Sequence, residues 1–405
     1  MLTKMSKYSV ILTSLILAIV FVSNVAMAQE VPTLKIITNG VEGGKNAQMV
    51  KYYKEFEIPE FEEKMAQQGQ KVNVELIETG IPDDRFKARI TMDIKAGRGA
   101  DILGFDQFWL SEFVSAGLLE PLQHYDPNYK EWKGWDHYYT GIKNMMKFKG
   151  DMYGLMKGSD VRMIYYNKEL FRKAGIEKWW AWQPDSWKEL LDTARKIKKE
   201  LPGVIPLQLN AGAKMGEATT MQGFYMAYLG TGGRLYDQDI GKWVGKSQKL
   251  LDTLQLYKSI YIDEGLGDAD MQLATKAREK TFEAYKNGKI AMLVEGTWFW
   301  TDVIAPGAAW GIPTRNSKIG WAAMPAQKPG KGINGQDYVS ISGGTGWVIS
   351  PATDHPELSW ELLKFIGSYK GKMAYMRYKP GAVTARKDVA KNSPVTSENF
   401  FLGTV

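Results

Sequence analysis

Apolar residues in this 405-residue chain come in short runs, separated by longer stretches where they recur every three or four positions. Short runs predict strands and the 3.6-residue recurrence predicts helices. Their alternation points to α/β units. Residues 34–38 read as the first strand, ending at Asn39-Gly40. Phe56, Phe61 and Met65 fall among mixed charges and predict a helix over 49–67, which Pro59 should break or kink. A second strand spans 72–77, a helix 86–96 closes at Gly97, and a third strand covers 101–105 before a helix ending near Ala116-Gly117. Asp185 or Ser186 can cap a helix starting at about Trp187, with Leu190, Leu191, Ala194 and Ile197 as its apolar face. Further helices are expected over 248–263, 274–287 and 357–369, and further strands over 290–294 and 346–350. Tyr165-Tyr166 should lie in a strand with one ring buried and one partly exposed. No internal repeat or low-complexity stretch breaks the pattern.

The N-terminus departs from it. Lys4 and Lys7 precede an apolar stretch from Val10 to Val22, and Ala26-Met27-Ala28 supplies a small-x-small cleavage site. Residues 1–28 therefore read as a secretory signal peptide; the stretch is short for a span of ~20 residues. The chain has no cysteine, which excludes disulfides, thiolate metal sites, cysteine nucleophiles and a lipid-modified cysteine anchor. A free periplasmic protein follows as the expectation. The net charge of +7 falls to +5 once Lys4 and Lys7 are removed, and the lysines are spread beside glutamates as on a solvated surface, so no nucleic-acid partner is expected. Removing residues 1–28 from 405 leaves 377, too many for one ordinary domain, so two lobes are expected. The 14 Trp and 20 Tyr supply flat apolar faces with polar edges, suited to ring-shaped polar ligands.

In open α/β sheets ligands gather at the carboxyl ends of strands. That rule nominates 39–44, 106–109, 295–300 and Gly343-Gly-Thr-Gly346. Trp298 and Trp300 would share one face if their strand continued, and a turn would separate them. A Trp face with carboxylates around it suits a saccharide. Signs of catalysis are sparse. The three histidines, His124, His137 and His355, lack metal-ligand spacing, and neither G-x-S-x-G nor H-E-x-x-H occurs. Gly241 to Ser247 is one residue short of a P-loop, and Asp237-Gln-Asp239 lacks the closing glutamate of a calcium loop. No cofactor is expected.

Several motifs in order resemble the family 1 extracellular solute-binding proteins, the maltose-binding family. They are Ala100-Asp-Ile-Leu103, Gly117-Leu-Leu-Glu-Pro-Leu122, Tyr153-Gly-Leu155, Tyr166-Asn-Lys-Glu-Leu-Phe171, Gln183-Pro-Asp-Ser-Trp-Lys-Glu-Leu190, Gly230-Thr-Gly-Gly233, Gly288-Lys-Ile-Ala291, Glu295-Gly-Thr-Trp298, Trp347-Val-Ile-Ser350 and Leu362-Leu-Lys-Phe365. The resemblance implies the two-lobe periplasmic binding protein fold of type II, with a ligand cleft between lobes joined by hinge strands. The implied lobes are 29–157 plus 325–378, and 158–324 plus 379–405. By position, the implied ligand-binding residues are Asn39, Glu42, Asp106, Phe108, Trp109, Asp160, Glu217, Trp298, Gly343 and Gly344. Asp160 falls where the family has a sugar-binding glutamate, and Trp298 where it has a stacking Trp. Met156 departs from the proline usual before the hinge. The chain ends at Val405, soon after Gly381-Ala-Val-Thr-Ala-Arg386, where relatives usually continue for a few more helices; either a short member or a truncated sequence is expected.

The implied function is capture of a di- or oligosaccharide by a monomer, for delivery to permease subunits of an ATP-driven importer in the inner membrane. The same fold could serve a non-sugar solute such as a polyamine or a glycerol phosphodiester. A periplasmic carbohydrate-active enzyme is the further alternative.

Overall fold

The computed structural model describes residues 30–237, 239–379 and 382–393. The expected signal peptide and the residues after 393 lie outside them. In chain order the strands that matter here are β1 (Thr33–Thr38), β2 (Asn73–Glu78), β3 (Ile102–Asp106), β4 (Gly154–Met156), β5 (Gly158–Ser159), β6 (Arg162–Asn167), β7 (Ile205–Gln208), β8 (Ile290–Gly296), β9 (Ile319–Ala322), β10 (Thr345–Ile349) and β11 (Val383–Thr384). One sheet has the order β2-β1-β3-β10-β4, and the other β9-β6-β8-β7. In the first sheet β1 runs parallel to β2 and β3, while β10 is antiparallel to β3 and β4. In the second, β7 and β8 are parallel and β6 is antiparallel to β8 and β9.

Each sheet carries its own apolar core. Leu34, Ile36, Phe61, Ile102, Phe105, Leu155, Trp347, Leu362 and Ile366 belong to the first; Ile164, Leu190, Ile197, Leu207, Met292 and Val294 belong to the second. A third cluster, with Tyr165, Leu293, Phe299 and Ile319, covers the other face of the second sheet. This is the two-lobe α/β fold. The chain crosses from lobe to lobe at 157–161 and again between Ile341 and Thr345.

Two expected boundaries move. Residues 325–342 pair and pack with the second lobe: Val339 is hydrogen-bonded across to Met324, and both are buried there with Ile341. Residues 382–393 return to the first lobe, with Ala385 in its core and β11 paired to β5.

Local structure follows the pattern with three differences. The helical run through 47–67 does not break at Pro59. A π-helical stretch, Tyr53–Glu57, widens the turn before it, and Pro59 then sits in the first turn of Ile58–Gln67, where its missing N–H costs little. The helix expected over 274–287 runs Ala277–Lys286, and a separate short helix, Ala269–Leu273, precedes it. Tyr165 and Tyr166 are both buried, because the second sheet is covered on both faces: Tyr165 packs on Phe299, Tyr166 on Phe171 and Trp182. Ser186 caps Trp187–Glu200, its Oγ accepting from the Glu189 N–H.

Candidate functional site

The carboxyl ends of β3 and β8 and the amino end of β10 meet where the chain crosses between the lobes. Asp106 ends β3 and lies opposite Thr345 at the start of β10. Asp160 and Gly343 form an isolated bridge between the two crossing segments, and the Gly343 N–H donates to Asp160 Oδ1 at 3.2 Å. A methyl group at Gly343 would stand 2.6 Å from the Phe108 ring, so only glycine admits that ring.

Arg162, the first residue of β6, organises the site and is absent from the residues expected there. It is 4% exposed. Its guanidinium donates to Asp160 Oδ1 and, at 3.1 Å, to the carbonyl of Ile341. Its charge lies 5.0 Å from the Trp298 ring and 5.7 Å from the Phe108 ring. Phe108 comes from the first lobe and Trp298 from the second, so one cation is held between two rings and one carboxylate. A sequence signal existed: an arginine inside the apolar run Val161 to Tyr166 needs a buried partner.

The turn after β3 separates neighbours. Gln107–Trp109 is a single 3-10 turn whose Asp106 cap accepts from the Phe108 N–H at 3.0 Å. Phe108 therefore faces the second lobe, and Trp109 turns back into the first core against Phe105 and Phe113. Trp109 is a core residue, not a cleft residue. Trp298 and Trp300 are likewise separated: the chain leaves β8 into a π-helical turn, Phe299–Val303, and Trp300 is buried beside Arg315. Glu42 is exposed and paired with Lys54 at 2.7 Å. Asn39 is spent on its own loops. Its Oδ1 accepts from the Ile81 N–H at 3.0 Å and from Thr79 Oγ1 at 3.2 Å, and its amide donates to Asp83 at 2.7 Å. Gly344 has φ +133°, a conformation open only to glycine, and its Cβ direction points at the Gly158 carbonyl.

Acids from both lobes share this space. Burial pushes Asp106 up to about 7, helped by the charges of Glu217 and Asp160 and opposed by the Phe108 N–H. Burial also raises Asp160, against Arg162 and the Gly343 N–H. Glu217 is raised by shielding from the surrounding protein and by Asp83 across the cleft; Arg162 and Arg278 pull it back.

The second lobe adds a polar wall that the expected set lacks. Glu295, fully buried near the end of β8, accepts from Arg278 at 2.9 Å and Asn210 Nδ2 at 3.4 Å. Asn210 follows β7, parallel to β8, which puts both at strand carboxyl ends. Asn210 Oδ1, Gln222 Oε1, Arg278 Nε and Arg162 Nε are buried without a hydrogen-bond partner among the described residues. Unpaired buried polar atoms of both kinds can exchange hydrogen bonds with hydroxyls. The histidines lie elsewhere: His124 against Tyr125, His137 beside Asp388, and His355 ahead of the helix Pro356–Ile366. Among the described residues no helix is long and apolar enough to cross a membrane.

A family model described as bacterial extracellular solute-binding protein matches residues 46–373. A binding protein of Brucella abortus is 29% identical over 88% of this chain and 79% of its own length. Among solved structures, the GacH receptor of Streptomyces glaucescens, studied unliganded and with acarbose, superposes with a TM-score of 0.69 at 21% identity, covering 92% of this chain and 84% of that one. A Thermotoga lettingae transporter solute-binding protein bound with α-D-tagatose gives 0.70 at 24% identity, over 91% and 85%.

Proposed function

Since this chain belongs to the bacterial extracellular solute-binding proteins, we propose that it captures a di- or oligosaccharide between its lobes, as a periplasmic monomer, and delivers it to the permease of an ATP-driven importer. The observation that carries this reading is the shared site at the crossover. Phe108 and Asp106 from one lobe, and Trp298, Glu217 and the Glu295–Arg278 pair from the other, surround the Asp160–Arg162 link. Aromatic faces can cover the C–H face of a pyranose, while carboxylates and amides take its hydroxyls. A ligand touching both lobes favours the closed arrangement by its contacts alone, and hinge closure is the motion such two-lobed proteins use. The acarbose and tagatose bound by the two solved relatives support a sugar over a polyamine or a phosphodiester. The residues act here by binding and releasing an unchanged ligand.

A thermal-shift screen of the mature protein against mono-, di- and oligosaccharides tests the proposal, with polyamines and glycerol phosphodiesters as controls. A rise confined to one saccharide class is the expected result. A rise only with a control class would replace the ligand, and release of a cleaved sugar product would replace binding with catalysis.

A further inference from the structure

Deep in the first lobe, away from the rings of the cleft, two lysines lie against one buried indole. Lys372 Nζ is 4.3 Å from the centre of the Trp347 ring and Lys157 Nζ 4.9 Å. All three residues are buried. Trp347 is itself pinned, its Nε1 donating to the Tyr53 hydroxyl. Burying an amine costs free energy unless its donors are met. Lys372 meets them with the carbonyl of Met156 at 3.0 Å, the carbonyl of Lys157 at 2.8 Å, and the ring face. Burial and the neighbouring Lys157 hold the Lys372 ammonium well below the usual lysine range. A neutral amine keeps two donors, enough for both carbonyls, so the tether does not depend on the charge.

Those carbonyls belong to the end of the chain's first passage across the first lobe. Met156 is paired to Gly346, and the Lys157 N–H donates to the Thr345 carbonyl at 2.9 Å. Beyond them Gly158–Ser159 stay with the first lobe, paired to β11. A methyl at Gly158 would meet the Val383 carbonyl at 2.1 Å, and Gly344 packs directly on the Gly158 carbonyl. Asp160 is held across to Gly343 by a 3.3 Å backbone bond. The helix that carries Lys372, Tyr369–Tyr378, is followed by Lys379, which reaches Asp302 of the second lobe at 3.1 Å.

We propose that Lys372 is a positioning residue for lobe closure: it pins Met156 and Lys157 to the first lobe and, together with the pairing of β5 to β11, confines the pivot of the crossover to Asp160–Val161. The proposal rests on the reading that the lobes close about this crossover.

The absence of cysteine allows one spin label per lobe, at exposed Gln67→Cys and Lys199→Cys, and dipolar spectroscopy then reads interlobe distances without ligand. Lys372→Met keeps the length and removes the donors; its distance distribution should be about twofold broader than that of the parent. Leu363→Ala opens a cavity in the same core without touching the crossover and should leave the width unchanged. Equal widths in the parent and Lys372→Met, or equal broadening in Leu363→Ala, would overturn the pin. If Lys372→Met does not fold, amide exchange in the unaltered chain decides. The Lys157 amide should exchange as slowly as 154–156, and those of Asp160 and Val161 faster; one common rate across 154–161 would sink the proposal. These readouts need no saccharide, so their failure leaves ligand capture standing, whereas lobes that stay apart in saturating saccharide would remove capture instead.

Discussion

At the scale of single residues the site is a balance of charge. Asp106 is raised to about 7 because burial and three neighbouring carboxylates, Glu217, Asp160 and Asp83, disfavour its ionised form. A sugar hydroxyl donates more strongly to the Asp106 carboxylate than to the neutral acid, so affinity should be greatest above about pH 8 and fall as the pH drops through 7. Calorimetric titrations of wild type and Asp106→Asn across pH 6 to 8 check this: the variant should bind more weakly and show little slope. Trp298→Ala and Asp160→Ala should each weaken binding by roughly 10-fold or more, the loss of one ring face or one charge-assisted bond at about 1.5 kcal/mol or above. Circular dichroism should show both variants folded, and unchanged affinity in both would remove the site as drawn. Trp298 could be nominated from the sequence because it stands at a readable strand end, and Asp160 only through the family resemblance. Arg162 could not be assigned to them, since its partners, Asp160, Phe108 and Trp298, depend on how two lobes meet.

Elements were legible where one rule acts alone. A cap at Asp185 or Ser186 and the apolar face of Trp187–Glu200 follow from spacing; the cap is Ser186, and Ser186→Ala should cost about 1 kcal/mol, read as a lower denaturation midpoint with an unchanged slope. Where tertiary contacts compete, the pattern misleads. Pro59 is absorbed by the π-helical turn Tyr53–Glu57, and that turn carries Tyr53 to Trp347 and Glu57 to Tyr52. Burial raises Glu57 to about 7. The folded state therefore holds a proton that the unfolded chain has lost between about 4.5 and 7, and this stabilisation, full below about 4.5, disappears as the pH rises through 7. Glu57→Gln should flatten that trend, its melting temperature gaining on wild type between pH 5 and pH 8. A constant difference across that range would show that Glu57 does not titrate there.

At the scale of the whole molecule, two cores joined by crossing strands make binding and stability one problem. A ligand at about 100 times its dissociation constant adds roughly 2.7 kcal/mol, a rise of roughly 3 °C at this size. The sequence by itself determined the α/β alternation, the family resemblance, and the strand ends, acids and rings to nominate as candidates, because periodicity, caps and turn residues act over a few positions. It could not determine that Trp109 turns into the core while Phe108 faces the second lobe, nor that residues 325–342 and 382–393 exchange lobes. It also could not show that Asn210, Arg278 and Glu295 form the second wall, or that Lys372 reaches the carbonyls of Met156 and Lys157 more than 200 residues away in the chain. Those outcomes depend on which buried surfaces meet and which donors remain to be satisfied, and only the assembled structure decides that.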